Sequence, residues 1–160
     1  MKTLIYGAGP IGRWLALRLA TTATDVTLLA RNETYRSLAE KGIEIVDGLT
    51  GELQTVRVDL VESLEPEDRY DLVVVAMQKA SRLAVCPVLA RNEHLQNILF
   101  LGNDVSSFRR YLDHLPPGKV LLGFPMAGGG MSDGELVFSK KALGRFPEHE
   151  EIFAAIDAAG

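Results

Sequence analysis

Two rhythms of apolar and polar residues run along this chain, and their order predicts its architecture. "TLIY" at positions 3–6 is a short, uniformly apolar or β-branched run of the buried-strand type. "PIGRWLALRLA" then sets Ile11, Leu15 and Leu19 at helical spacing, with Pro10 near the first helical position, where its missing N–H costs little. "DVTLLAR" predicts a second strand. Asn32 can cap the helix that follows through "ETYRSLAE", and Gly42 can stop it. "GIEIVDGLTGELQTVRVDLV" alternates on both sides of the turn signal "DGLTG" and predicts a hairpin or strand pair.

The parallel rhythm resumes at "YDLVVVAM", too uniformly apolar for an edge and so a central strand with both faces covered. "SRLAVCPVLAR" predicts a helix bent or interrupted near Pro87, "NILFLG" a strand, and "VSSFRRYLDHL" a helix stopped by Pro116 and Pro117. "KVLLGF" and "ELVFS" are strands on either side of the glycine-rich loop "PMAGGGMSDG", and "EHEEIFAAIDAAG" begins as a charged helix. Strands alternating with helices predict an α/β fold: a Rossmann-type doubly wound, mostly parallel sheet with flanking helices and a hairpin insertion.

Composition changes this picture little. The 160 residues amount to one domain, 47% apolar and 24% charged, with no repeat or low-complexity tract. A net charge of -4 gives no electrostatic reason to expect nucleic acid or an anionic membrane. No apolar run approaches the roughly 20 residues that span a bilayer, and the opening run is too short for a signal-peptide core. The single cysteine, Cys86, cannot form an internal disulfide, so cytoplasm is the expected location. It reads as a small buried residue rather than a nucleophile.

The chemistry concentrates between the first strand and the first helix. "GAGPIG", that is Gly7, Ala8, Gly9, Pro10, Ile11 and Gly12, has the spacing of a dinucleotide turn. Gly7 permits the turn, Gly9 lets a pyrophosphate approach the backbone, and Gly12 lets the helix pack closely on the strand. The helix N-terminus then favours negative charge. At the tip of the second strand "TLLARNE" offers Arg31 and no preceding carboxylate, which points to the 2′-phosphate of NADP; the alternative is a solvated Arg31 with Glu33 as the ribose ligand.

The ordered set "GAGPIG", "LLAR", "EKGIEI", "DLVVVAMQKA", "FLGNDV" and "LLGFPMAGGGMSDGELVF" resembles the N-terminal NADP-binding domain of the ketopantoate reductases (2-dehydropantoate 2-reductases), through nearly all 160 residues. The resemblance implies an NADPH-dependent oxidoreductase acting on a small 2-oxo acid, with a homodimer among the possible assemblies. It also implies a following helical domain carrying catalytic residues and dimer contacts. This chain stops before it, so residues 1–160 are expected to be the cofactor domain, inactive alone.

Two family positions depart from the pattern. A gapless alignment sets Gln78 where the family has a lysine near the nicotinamide, with Lys79 one place later; Lys79 is either that lysine displaced or a solvated residue at a helix start. The family's Asn-Gly pair becomes Asn103 and Asp104, leaving Asn103 as a candidate contact to ribose, nicotinamide or substrate, or a turn residue only. Asp104 adds negative charge where an acid substrate is expected. His94, His114 and His149 lack metal-ligand spacing, and no metal site is expected. Trp14 is read as packing. The alternatives to the reductase are a non-catalytic dinucleotide-sensing module and a dehydrogenase of another hydroxy acid or an opine.

Overall fold

The computed structural model describes residues 1–22, 24–48, 50–103, 106–125, 128–132 and 135–139. Asp104, Met126 and Ala127 of the glycine-rich stretch, His149 and the expected C-terminal helix lie outside them. The first unit is β1 (Lys2–Tyr6), α1 (Pro10–Ala20) and β2 (Asp25–Leu29), followed by α2 (Asn32–Lys41). β3 (Ile43–Asp47), β4 (Leu53–Val56) and β5 (Asp59–Val61) come next, then β6 (Leu72–Val75), α3 (Lys79–Ala90) and β7 (Asn97–Leu101). α4 (Phe108–Leu112), a 3-10 turn at Pro117–Lys119, β8 (Val120–Gly123), β9 (Gly128–Ser132) and β10 (Glu135–Ser139) complete the elements.

Six strands form a parallel sheet in the order β5-β2-β1-β6-β7-β8, the doubly wound α/β arrangement. Alternation along each strand divides its side chains between two apolar layers. Ile5, Leu28, Val74 and Leu99 join Leu15, Ala16 and Leu19 of α1 and Leu38 of α2 on one face. Leu4, Val73, Val75 and Phe100 join Val85, Cys86 and Leu89 of α3 on the other. The "LVVV" of β6 is buried at every position because both layers cover it, as its lack of alternation predicts. Chain order reverses between β1 and β6, which opens a crevice at their carboxyl ends.

The predicted hairpin is present, since β3 and β4 pair antiparallel and Gly51, at φ +71°, returns its N–H to the Asp47 carbonyl. Two outcomes differ from expectation. The hairpin ends at Val56, and "DLV" leaves it to join the edge of the main sheet beside β2. The hairpin itself builds a second sheet, β4-β3-β10-β9, which packs against the face of α1 away from the main sheet.

"GGGMS", expected within a loop, is strand β9, paired with β10 through five residue pairs. Glycine disfavours strands only weakly, and the ladder overrides that preference. α3 runs through Pro87 without a break. The helix expected from "VSSFRRYLDHL" is confined to Phe108–Leu112. Asn32 does not cap α2: Arg31 is the N-cap without a side-chain bond, and Asn32 is the first helical residue at φ +54°.

Cys86 is fully buried against Leu89 and Phe100 in the α3 layer, and its thiol donates to the Arg82 carbonyl at 3.4 Å. Burial pushes that thiol above its ordinary pKa, so the neutral form persists to higher pH than in a free cysteine. Folded protein at pH 8 is therefore expected to react with Ellman's reagent far more slowly than urea-unfolded protein. Rapid stoichiometric labelling of the folded chain would contradict the burial.

Candidate functional site

The three glycines of "GAGPIG" prove to have separate physical roles. Gly7 has φ +118°, and a Cβ on it would stand 2.9 Å from both the Ala76 carbonyl oxygen and Met77 Cγ, across the β1/β6 junction. At Gly12 a Cβ would collide with the carbonyl oxygen of Gly7, so the first turn of α1 lies directly on the turn that precedes it. Gly9 differs: its φ of -75° is open to any residue, and a Cβ there would meet nothing within 4 Å. The fold does not require glycine at position 9.

Gly9 is the N-cap of α1, Pro10 follows it, and no acid occupies the first turn. The helix therefore presents its positive end uncompensated by its own side chains. Arg13 Nε donates to the Ala8 carbonyl at 2.8 Å, which ties the loop to the helix it leads into. Burial lowers the Arg13 pKa from its ordinary value.

A cavity of about 450 Å³ opens beside this turn. Gly7, Gly9, Pro10 and Ile11 line one side; Ala76, Met77, Gln78 and Ser81 come from the end of β6 and the start of α3, and Leu101, Gly102 and Asn103 from the end of β7, with Pro125 beyond β8. Gln78 and Asn103 thus meet the glycine turn in one crevice. Ala8 and Gly12 are adjacent in the chain but do not line it, and Lys79, exposed at the first position of α3, also stands outside it. Sequence reading missed Ser81, Met77, Gly102 and Pro125. For Ser81 the signal was available: it follows Gln78 by three residues, one helical turn.

Arg31 lies at the carboxyl end of β2. Its Nη2 donates to Tyr6 Oη at 2.9 Å and its Nε to the Glu62 carbonyl at 3.3 Å, and the guanidinium carbon is 5.9 Å from the Tyr6 ring centre. Tyr6 precedes Gly7, so this contact ties the arginine to the strand that runs into the glycine turn, while Arg31 itself is not among the residues lining the cavity. Two of its five N–H groups are used in these bonds. Glu33 faces elsewhere: it pairs with Arg36 at 3.3 Å on the surface and borders a second cavity between α2 and the second sheet.

Comparison with known proteins shows the family of the chain. A sequence profile described as Ketopantoate reductase PanE/ApbA matches residues 3–149. The chain belongs to the ketopantoate reductase family. A 2-dehydropantoate 2-reductase of Pyrococcus abyssi is 27% identical over 160 aligned residues, covering 96% of this chain and 50% of that protein. One from Listeria innocua is 25% identical over 129 residues, covering 81% and 43%. The chain therefore spans about half the length of these relatives. Among solved structures, a D-mandelate dehydrogenase with NADH and anilino(oxo)acetate superposes with a TM-score of 0.84 at 17% identity, over 99% of this chain and 55% of its own, a likeness of fold. No helix among the described residues is long and apolar enough to cross a membrane.

The unequal glycines lead to a measurable contrast. Gly12→Ala is expected to destabilise by about 3 kcal/mol or more, at or beyond the upper end for overpacking, because backbone rather than a flexible side chain blocks the new methyl. Gly9→Ala should stay within about 1 kcal/mol of the parent. Urea unfolding of the two variants checks this, and equal losses would contradict the assignment of roles.

Proposed function

We propose that this chain binds NADPH across the β1/β6 crevice and serves the reduction of a small 2-oxo acid, the chemistry of the ketopantoate reductases. The observation that carries the reading is Gly9, open on its Cβ side at the N-terminus of α1 while Gly7 and Gly12 are committed to packing. The cradle fits a pyrophosphate: the first N–H groups of α1 receive its charge, Pro10 presets the helix start, and Arg13 holds the Ala8 peptide. Arg31, with three N–H groups beyond its bonds to Tyr6 and Glu62, is the proposed partner of the 2′-phosphate. Bound NADPH would supply the hydride.

Toward the substrate end, Gln78 and Asn103 are proposed to orient the nicotinamide or the 2-oxo acid by hydrogen bonds. Neither is a strong acid, and Lys79 stands outside the cavity lining, so protonation of the nascent alkoxide lacks a donor among the described lining residues. Positioned acid catalysis contributes about 10²–10⁴-fold, and we accordingly expect NADPH binding without measurable turnover from these 160 residues alone. Cytoplasmic location and homodimer formation belong to the same proposal. A second reading, a dehydrogenase of another hydroxy acid, draws on the D-mandelate dehydrogenase likeness and calls for a panel of 2-oxo acids that includes an aryl one.

Calorimetric titration with NADPH and NADH tests the cofactor assignment. Gly9→Val should abolish NADPH binding in a folded chain. Arg31→Asp should move preference from NADPH towards NADH by about 10- to 150-fold, the worth of one charge-assisted contact. Undiminished NADPH affinity in Gly9→Val would reduce the glycine turn to a structural role, and an unchanged nucleotide ratio in Arg31→Asp would turn attention to Glu33.

A further inference from the structure

The second cavity, also of about 450 Å³, lies outside the crevice, between α1, α2 and the second sheet. Its volume is that of a small-molecule site. Arg13 lines it from α1, Glu33, Thr34, Ser37 and Lys41 from one face of α2, and Glu44 from β3. The dinucleotide reading uses Arg13 only through Nε, which donates to the Ala8 carbonyl. The two Nη groups carry four further N–H donors, and no other hydrogen bond or ion pair engages them among the described residues.

That bond to Ala8 also fixes where the charge stands. The glycine turn and the start of α2 both lie at the carboxyl edge of the main sheet, where Tyr6 of β1 pairs with Leu29 of β2. A guanidinium held at Ala8 therefore lies toward the first turn of α2, whose ten residues extend about 15 Å to Lys41. At the far end Lys41 and Glu44 have opposite signs. At the near end the Glu33 carboxylate is taken by Arg36 at 3.3 Å, which leaves Arg13 as the uncompensated charge. Arg13 is half-buried and has given up part of its hydration, in keeping with its lowered pKa. Thr34 and Ser37, one helical turn apart, add two hydroxyls that no described residue engages. A phosphate monoester presents three terminal oxygens that accept from N–H and O–H donors together. Leu53, 55% exposed on the cavity wall, offers an apolar surface to the organic part of such an ester.

We infer that Arg13, Thr34 and Ser37 form a binding site for a phosphate monoester dianion in the cavity between α1 and α2. The site stands apart from the dinucleotide reading, and two sources share its chemistry: the 2′-phosphate of the cofactor and a separate phosphorylated small molecule. Arg31 reaches the end of β1 through Tyr6, whose ring belongs to the α3 layer, whereas Arg13 reaches the glycine turn from α1. A 2′-phosphate in this cavity would thus be held by Arg13 from the side opposite Arg31.

The probes are inorganic phosphate and adenosine 2′-monophosphate, titrated into the intact chain at constant ionic strength while arginine Nε–H signals are followed by NMR. The Arg13 signal is assigned by its loss in Arg13→Gln. Both probes are expected to shift it to saturation, and chloride is not. Measured by calorimetry, Arg13→Gln should weaken phosphate about 10- to 150-fold and Thr34→Val about 2- to 12-fold. The ratio of NADPH to NADH affinity separates the sources, because any disturbance of the Ala8 peptide weakens both dinucleotides alike. A ratio that falls in both variants supports the site with the cofactor's own phosphate in it; an unchanged ratio with weakened phosphate supports it for a separate ester. An Arg13 signal that neither probe moves, or equal phosphate affinity in the parent and both folded variants, overturns the inference. If Arg13→Gln does not fold, Thr34→Val carries the comparison, and phosphate affinity equal to the parent's overturns it. If the parent binds neither dinucleotide, the cofactor reading falls by itself and the phosphate titrations alone decide this site.

Discussion

The carbonyl oxygen of Gly7 occupies the space where a side chain on residue 12 would begin, and this contact between a turn and the helix it leads into governs the crevice. Because α1 lies so close to the end of β1, its first turn stands over the sheet's carboxyl edge with Gly9 at the rim. The positive φ of Gly7 is the other half of the same constraint, since it turns the chain sharply while the Ala76 carbonyl and Met77 crowd the opposite side. Backbone groups are thereby fixed where an anion can use them. Preorganisation of this kind lowers the ordering cost that binding would otherwise incur.

Reversal of chain order between β1 and β6 then brings a second helix start to the same place. The chain as a whole carries a net charge of -4, yet the described residues lining the cavity include no Asp or Glu. What local positive field the crevice has comes from the two helix N-termini at its edge, whose first turns carry no acid, and not from a global field. The second sheet contributes at a distance. By covering the outer face of α1 it leaves that helix packed on both sides.

Much of this was legible in residue order. Apolar runs and glycine punctuation placed β1, α1, β2, β6 and β7, and the even burial of "LVVV" announced a central strand. The spacing of "GAGPIG" located the turn because G-x-G-x-x-G is a local geometric demand, met by residues five apart. The ordered motifs were enough to indicate the reductase family, which the profile match over residues 3–149 shows.

What residue order left open depended on pairing across long separations. Whether "GGGMS" is loop or strand rests on β10 beside it, whether "DLV" continues a hairpin rests on the free edge of β2, and the hairpin's second sheet needs a strand about 90 positions later in the chain. The role of each glycine also waited on the fold: only the neighbours of positions 7, 9 and 12 separate two that packing requires from one that it leaves open. Arg82 carried no sequence signal, being one more arginine in an amphipathic helix. Its burial against Gly102, 20 residues away in the chain, shows only in the fold, because tertiary packing decides which charges lose their water.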